Sequence, residues 1–515
     1  MSIQKGFVRS IQLERPSLSN NTADAQRLEA SLQKELGTDR IRIPLDVLKP
    51  LPSNIRDWGY SAKAILFKDC HSWFLLDLLS PKDQTRILGV AIDIGTTRIV
   101  LALVDLETGE MLGEKGFDNP QAAIGPDVLA RIHYSNKPGG LKQLHDLVIR
   151  SVNENLANLC QTHGVGQDNV YLVTGAGNTA MTHLFAGIEA YQIIKEPYIP
   201  CVNILDTIAA TQLGLKIHDR GMVFLFPNIG SYFGGDLIAG ILYSDLDQKQ
   251  MPCLLVDVGT NAEIVIGCSE WLIACAGAAG PALEGGMSRM GMTAKPGVID
   301  RVRIDPQTNG LEVHTIDELP PIGICGSGMI DLAASLFLSR RIDIRGKFSK
   351  QVCGDQLFEQ DGIMHFMLVD KDHSGSGEPI SLSQVDLNSL TSSKAAMYTI
   401  LEVIVKNTAG LDFKDLNTFY VAGTFGSFIN PVSAISIGML PDIPVDTFKV
   451  LGNSSLGGAV LLLKTPDVFD RILNIRKSIT YIELNVNQEF MNMFSGAKFY
   501  PHTDRSRFPS LDRSF

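Results

Sequence analysis

The stretch VAIDIGTTRIVLALVD, residues 90–105, contains the pattern that decides the fold. An apolar run reaches Asp93 and Ile94, a turn follows at Gly95-Thr96-Thr97, and a second apolar run extends to Val104. Two runs of strand length joined by a short turn that contains glycine predict a β-hairpin. The hairpin places a carboxylate and two hydroxyl groups at the end of a buried strand.

A second copy of this pattern occurs in CLLVDVGTNAEIVIG, residues 253–267. It again runs through a strand, an aspartate (Asp257), a glycine, a threonine, a polar residue and a second strand. One DxG turn after a strand is a common hairpin turn and needs no function. Two matching copies inside apolar strands indicate an internal duplication and favour a shared binding role.

The chemistry of the turn points to phosphate. Glycine lets backbone N–H groups approach a ligand closely, and successive N–H groups form a concave anion site. Thr96, Thr97 and Thr260 add hydroxyl donors of small size. Asp93 and Asp257 would repel phosphate unless they hold a divalent cation, usually through water. We therefore expect Mg²⁺ at these two aspartates and a nucleoside triphosphate gripped by two facing turns.

Three further glycine-rich stretches follow the same logic. YLVTGAGNTAMTHLF (171–185) predicts a strand, a glycine turn and a helix. In GICGSGMIDLAASLF (323–337), Gly326-Ser327-Gly328 opens a helix whose N-terminus would meet polar ligand atoms. FYVAGTFGSF (419–428) predicts a strand that leads into Gly423 and Gly426. Close packing of strand and helix is an alternative explanation for each stretch alone.

Composition excludes several classes of function. The 515 residues are 45% hydrophobic and 20% charged, as in ordinary globular proteins, and predict roughly three or four domains. The net charge of −11, without basic stretches, argues against binding to nucleic acid or to anionic membranes. Apolar runs of spanning length and a secretory signal are absent from the sequence. We expect a cytoplasmic protein whose eight cysteines, none in a CxxC pair, are buried free thiols.

At these motifs the chain resembles the actin-like ATPase superfamily, which includes acetate and sugar kinases, actin and heat-shock ATPases. Residues 93–97 match its first phosphate loop, 257–263 its second and 421–426 its adenosine turn. Glu263 lies where several superfamily ATPases carry an acidic residue near the attacking water; the alternative is a solvent-facing carboxylate at a strand edge. The resemblance implies ATP and Mg²⁺, with Asp93, Asp257 and Glu263 as catalytic residues and Asp93 and Asp257 as metal ligands. The implied nucleotide-binding residues are Gly95, Thr96, Thr97, Gly259, Thr260, Asn261, Gly326, Ser327, Gly328, Gly423, Thr424 and Gly426.

A narrower resemblance covers nearly the whole chain. The chain is similar to the ATP-dependent reductive activators of corrinoid proteins in the arm 7–32 and in the runs 117–132, 177–185, 278–292, 323–331, 421–444 and 451–463. Members of that family usually begin with a domain that carries a two-iron, two-sulfur cluster on four cysteines. No such cysteine set is found here, so we expect no iron–sulfur cluster in this chain and a separate low-potential donor, such as a ferredoxin-like protein. The family also suggests a homodimer.

The resemblance implies an α/β, actin-like ATPase fold of two ribonuclease-H-like halves. The predicted domains are a linker arm and helix (1–37), a small mixed middle domain (38–87), the first ATPase half (88–250), the second ATPase half (251–465) and a C-terminal extension (466–515). Leucines at spacing four, followed by Gly37, predict that the first helix ends there.

The implied function is an ATPase that drives reduction of inactive Co(II) corrinoid proteins, which serve B12-dependent methyltransferases, to Co(I). Two alternatives stay open on the sequence. A small-molecule kinase of the same superfamily would need a catalytic base and a substrate pocket. A nucleotide-dependent scaffold or chaperone without a redox role fits the missing cluster.

Overall fold

The computed structural model describes residues 6–69, 72–259, 262–277, 290–292, 294–305, 310–423, 429–483 and 488–511. The strands are β1 (Val8–Gln12), β2 (Ile41–Arg42), β3 (Ser61–Lys68), β4 (Trp73–Leu79), β5 (Leu88–Ile94), β6 (Arg98–Asp105), β7 (Met111–Asp118), β8 (Val170–Ala176), β9 (Ile208–Ala209), β10 (Met222–Leu225), β11 (Cys253–Val258), β12 (Ala262–Gly267), β13 (Leu272–Gly277), β14 (Val298–Ile304), β15 (Leu311–Thr315), β16 (Gly323–Ile324), β17 (Leu357–Gln360), β18 (Ile363–Val369), β19 (Ile380–Ser383), β20 (Thr418–Ala422), β21 (Phe448–Gly452) and β22 (Ile479–Glu483).

The α-helices are α1 (Asp24–Leu36), α2 (Leu45–Leu48), α3 (Leu51–Asp57), α4 (Val128–Ser135), α5 (Gly140–Thr162), α6 (Thr179–Ala186), α7 (Ala210–Leu213), α8 (Gly235–Ser244), α9 (Gly326–Leu338), α10 (Lys350–Cys353), α11 (Gln384–Glu402), α12 (Pro431–Ser436), α13 (Ser454–Lys464), α14 (Val468–Ser478) and α15 (Gln488–Ala497). Gly37 ends α1 in the left-handed conformation, at φ 64°, as its position predicts. Within the described residues, no helix has the length and apolar character needed to cross a membrane.

The first compact unit comprises Met1–Tyr243 and Ser454–Ser478. Its small sheet has the order β1-β3-β4-β2, and its large sheet has the order β7-β6-β5-β8-β10-β9. The strands β5, β6 and β7 form an antiparallel meander, whereas β8 runs parallel to β5 and β10 runs parallel to β8. One apolar core joins β5, β6 and β8 to helices α5 and α6.

The second compact unit comprises Ser244–Asn453 and Ile479–Phe515. Its large sheet has the order β21-β20-β11-β12-β13-β22, and two three-stranded sheets, β15-β14-β16 and β17-β18-β19, accompany it. The strands β11, β12 and β13 form an antiparallel meander, while β20 is parallel to β11 and β21 is parallel to β20.

Five consecutive strands of each large sheet, β7-β6-β5-β8-β10 in the first and β13-β12-β11-β20-β21 in the second, have the same order and the same directions. The match extends to single residues, because Asp93 is paired with Ala176 on the neighbouring parallel strand and Asp257 is paired with Ala422. Each of these alanines is followed by a glycine, Gly177 or Gly423. The shared arrangement supports the predicted duplication and the α/β fold of two similar halves.

The sequence explains why β5 is buried on both faces. Leu88, Val90 and Ile92 belong to the core that α5 and α6 cover. On the other face, a Cβ atom at Gly89 would lie only 2.8 Å from the Leu463 side chain of α13. Strands covered by helices on both faces are apolar throughout, which is why β5 lacks a polar alternation.

The two units divide the chain differently from the predicted halves. Residues 454–478, which the prediction splits between the second half and the C-terminal extension, belong to the first unit. The reason is packing, since Thr174 Oγ1 of β8 donates to the Ala459 carbonyl oxygen of α13 at 2.9 Å. Of the cysteines that the structure describes, Cys201 is exposed and not buried as expected, and the others are buried.

Candidate functional site

The first loop, residues 93–97, is a tight turn held from one side by Asn119. A Cβ atom at Gly95 would lie 2.2 Å from the Arg98 carbonyl oxygen, so only glycine fits there. The buried Asn119 donates from Nδ2 to the Gly95 carbonyl oxygen at 2.9 Å, and its backbone N–H donates to the Thr97 carbonyl oxygen at 2.8 Å. These contacts fix the turn before any ligand binds.

The strand–turn–helix stretch 171–185 meets the first loop through Asn178. Its Nδ2 donates to Thr96 Oγ1 at 3.1 Å, and its Oδ1 accepts from the Met181 backbone N–H at 2.9 Å as the N-cap of α6. Gly177 permits this approach, because a Cβ atom there would lie 2.8 Å from the Ile94 carbonyl oxygen. The fold therefore brings together two glycine turns that the sequence shows as separate features.

Asp93 itself contacts a residue far along the chain. Ser455, in the first turn of α13, donates from Oγ to Asp93 Oδ1 at 2.9 Å. The two residues are 362 positions apart, and no local pattern connects them.

Asp236, which is not among the residues predicted from the sequence, lies at the same end of the first sheet. It is the second residue of α8, and its backbone N–H donates to the Gly177 carbonyl oxygen at 3.3 Å. Burial raises the pKa of Asp236 to about 7, and the negative charge of Asp93 adds to this increase. Two carboxylates that oppose each other's ionisation favour a bound cation. The signal in the sequence is GGD at the start of an apolar helix.

Two glycines before Asp236 allow the start of α8 to pack closely against neighbouring backbone. A Cβ atom at Gly234 would lie 2.4 Å from the Asn178 Cα atom, and one at Gly235 would lie 2.6 Å from the Phe226 carbonyl oxygen. The start of α8 can therefore pack against the turn after β8 at Gly234 and against the residue after β10 at Gly235.

The second loop, residues 257–263, places two carboxylates on neighbouring strands. Asp257 of β11 pairs directly with Glu263 of β12, so both side chains project from the same face of the sheet. Gly423 has φ 85°, and a Cβ atom there would lie 2.6 Å from Asp257 Oδ1. The start of the predicted adenosine turn therefore lies against Asp257. Thr260, Asn261, Thr424 and Gly426 lie outside the described residues.

Cys275 of β13 lies on the other side of β12 from Asp257. Burial raises its pKa well above the usual range, and the charge of Glu263 adds to the effect. The thiol therefore stays protonated at neutral pH and is a poor nucleophile or redox group.

The helix start at Gly326-Ser327-Gly328 is closely packed. A Cβ atom at Gly328 would lie 2.5 Å from the Ile299 carbonyl oxygen of β14. Ser327 is 4% exposed, and its Oγ lies 3.1 Å from Cys325 Sγ. Packing explains Ser327 and Gly328 without a ligand, and a role of these three residues in nucleotide binding stays a prediction.

Comparison with known families covers the chain almost from end to end. Three family models match consecutive parts: the RACo linker region at 7–86, the RACo middle region at 88–249, and the C-terminal domain of RACo, the ASKHA domain, at 251–512. The chain belongs to the RACo family. The family's middle region thus coincides with the predicted first half and not with residues 38–87.

Individual relatives of this RACo chain carry related names. The corrinoid activation enzyme RamQ of Eubacterium limosum is 30% identical over 434 residues, which are 82% of this chain and 72% of RamQ. The [Co(II) methylated amine-specific corrinoid protein] reductase of Methanosarcina barkeri is 24% identical over 437 residues, 79% of this chain and 76% of the reductase. A solved structure of a reductive activator for corrinoid, iron-sulfur protein is 36% identical with a TM-score of 0.88, and the match covers 99% of this chain and 81% of that one.

Proposed function

We propose that this RACo-family chain is an ATP-hydrolysing activator that drives the reduction of an inactive Co(II) corrinoid protein to Co(I). The observation that carries the proposal is the likeness to a solved reductive activator, at 36% identity over 99% of this chain. Cobalt gains one electron in this reaction. In this proposal the electron comes from a separate low-potential donor of the ferredoxin type.

Asp93 and Asp257 are the proposed Mg²⁺ ligands. The first loop fits a cation because Asp93 has a second carboxyl group near it, that of Asp236, whose pKa is raised by burial and, to a smaller extent, by the charge of Asp93. The second loop fits one because Asp257 and Glu263 are direct partners across two strands. Bound Mg²⁺ would neutralise charge on the phosphates and link them to the protein.

The loop residues hold the phosphates in this proposal. Thr96, Thr97, Thr260 and Asn261 donate to phosphate oxygens, together with the backbone N–H groups of the two glycine turns. Asn119 and Asn178 keep the first loop in shape through the contacts described above. The adenosine contacts are assigned to Gly423, Thr424 and Gly426, with Gly326, Ser327 and Gly328 as further nucleotide-binding residues.

Glu263 is the proposed residue that positions the attacking water. Asp236 is a competing candidate for this task, because its raised pKa suits a group that accepts a proton near neutral pH. Asp236 lies near Asp93 and Glu263 pairs with Asp257, so separate substitutions of Asp236 and Glu263 distinguish the two candidates.

ATP binding and hydrolysis act by biasing an equilibrium. Contacts from the loop residues to the terminal phosphate exist only while ATP is intact, so hydrolysis changes the relative free energies of two states of the complex. A shift from 1:99 to 99:1 needs about 5.5 kcal/mol of differential binding, which several phosphate contacts can supply. The partner is held in the reducible state only as long as those contacts last.

The test is anaerobic absorption spectroscopy of a Co(II) corrinoid protein mixed with this chain and a low-potential reductant. We expect the Co(I) spectrum only when both the chain and Mg-ATP are present. The Asp257→Ala variant is the control for dependence on the nucleotide site. Continued ATP hydrolysis with an unchanged Co(II) spectrum, across a panel of corrinoid proteins, would refute corrinoid activation and leave an ATPase with another client.

A small-molecule kinase is the second candidate, and Asp236 is the observation that favours it. A carboxyl group with a pKa of about 7 beside a phosphate loop is what a kinase needs to deprotonate a substrate hydroxyl. Product analysis separates the two functions. An activator releases inorganic phosphate, whereas a kinase transfers the phosphoryl group to a metabolite.

A further inference from the structure

The N-terminus of α13 lies against the first loop. Ser455 is 6% exposed and donates from Oγ to Asp93 Oδ1 at 2.9 Å. A hydrogen bond to a carboxylate is stronger and more directional than one between neutral groups. The partially positive end of a helix dipole also favours a negative charge at this position.

Backbone packing fixes the position of α13. A Cβ atom at Gly458 would lie 2.2 Å from the Ala239 carbonyl oxygen of α8, and one at Gly457 would lie 2.6 Å from the Tyr243 ring. The two helices therefore touch where α13 has no side chains. Because Thr174 also binds the Ala459 carbonyl oxygen, the helix is anchored to the sheet as well as to α8.

Anchoring makes Ser455 a rigid support. Its hydroxyl reaches Asp93 from a helix that is fixed on two sides, so the carboxylate is held at one oxygen atom. An aspartate that must orient a cation or its water shell gains from such support, since ordering the side chain costs free energy that is then lost from binding.

We propose that Ser455 is a positioning residue that orients the Asp93 carboxylate for Mg²⁺ binding at the first loop. The inference rests on the proposed nucleotide function. It also gives a reason why residues 454–478 belong to the first unit, because this segment supplies the hydroxyl group that holds the Asp93 carboxylate.

The neighbouring serine provides a matched control. Ser454 is in the same helical turn and is 1% exposed, but its Oγ has no hydrogen-bond partner among the residues that the structure describes. Ser454→Ala and Ser455→Ala therefore make the same chemical change in the same helix, and only one of them removes a contact to Asp93.

The experiment measures divalent metal binding directly. Mn²⁺ is titrated into the full-length chain with ADP and followed by electron paramagnetic resonance, and the Mg²⁺ concentration for half-maximal ATP turnover is measured in parallel. We expect Ser455→Ala to weaken metal binding about 10-fold, the effect of one lost bond to a charged group, while ADP binding without metal changes less than about twofold. Ser454→Ala should match the wild type.

A second pair guards against a folding defect. Ser455→Thr and Ser455→Val have the same shape and differ in the hydroxyl group, so the threonine should restore metal binding and the valine should not. Equal metal affinity in these two variants would overturn the inference. Absence of metal–nucleotide binding in the wild type would instead refute the proposed function itself.

Discussion

The two loops share a sheet architecture but obtain their second carboxylate in different ways. In the second loop, the residue paired with Asp257 across the hairpin is Glu263. In the first loop, the residue paired with Asp93 is Val100, which packs as an apolar residue of β6. At the first loop, α8 brings the carboxyl group of Asp236 to the same end of the sheet.

A difference in turn length accompanies this change. Ile94 pairs with Ile99, whereas Val258 pairs with Ala262, so the first hairpin has one more residue between its last paired positions. Since side chains alternate along a strand, turn length decides which residue stands opposite the aspartate. The comparison shows that two similar folds can place an acidic pair near a glycine turn from unrelated sequence positions.

The neighbouring parallel strand contributes in the same way to both loops. Gly177 after β8 lies against the Ile94 carbonyl oxygen, and Gly423 after β20 lies against Asp257 Oδ1. In the first loop, Ser455 from a distant helix donates a hydrogen bond to Asp93. The first loop thus receives support from a segment far along the chain, and the second loop has its paired carboxylate within its own hairpin.

The largest expected effect is the loss of either loop aspartate. Asp93→Ala and Asp257→Ala should each reduce ATP hydrolysis by at least about 100-fold, because each removes a proposed ligand of Mg²⁺. Phosphate release at several Mg²⁺ concentrations measures the change. If Asp257→Ala kept both hydrolysis and its Mg²⁺ dependence, the two loops would not be functional equivalents.

A smaller effect distinguishes the two second carboxylates. Asp236→Asn and Glu263→Gln keep the side-chain shape and remove the charge, so only the residue that positions the water should reduce kcat, by about 100-fold. The other variant should stay within about fivefold of the wild type. Measurement of kcat and KM for ATP in both variants shows which residue positions the water. An equal, small loss of kcat in both variants would show that neither residue does.

A further effect concerns stability in the absence of ligand and depends on pH. The folded-state pKa of Asp236 is about 7, against an ordinary value of 3.8. At a pH between these two values, the folded state therefore keeps a proton that the unfolded state has lost. Wild-type stability should therefore fall, relative to Asp236→Asn, as the pH rises from about 4 to about 7, and the difference should stay constant above pH 7.

The measurement is the Tm of both proteins in metal-free, nucleotide-free buffer. Asp236→Asn should gain about 4 kcal/mol over the wild type at pH 8, or a Tm higher by about 8 °C, and much less at pH 5. Glu263→Gln is the matched control from the other half. A Tm difference for Asp236→Asn that does not vary with pH would show that burial does not govern this carboxyl group.

Most of the fold could be predicted from the sequence because its signals are local. The apolar runs that end at Asp93 and Asp257 are contiguous, and strand–glycine–helix order is visible within about fifteen residues. Both hairpins and the helix starts at Thr179 and Gly326 agree with the structure. The combined motifs also predicted the family, which the match to the RACo regions confirms.

The sequence by itself determined the two hairpins, the α/β alternation and the family, since each depends on residues that are neighbours along the chain. Only the tertiary structure decided which distant groups surround Asp93. Asn119 and Asn178 contact the first loop from other segments, Asp236 lies close enough to affect Asp93 electrostatically, and Ser455 contacts Asp93 from 362 residues away. The physical reason is that sheet order and helix packing, which bring these groups together, leave no periodic signal around the individual residues that they place.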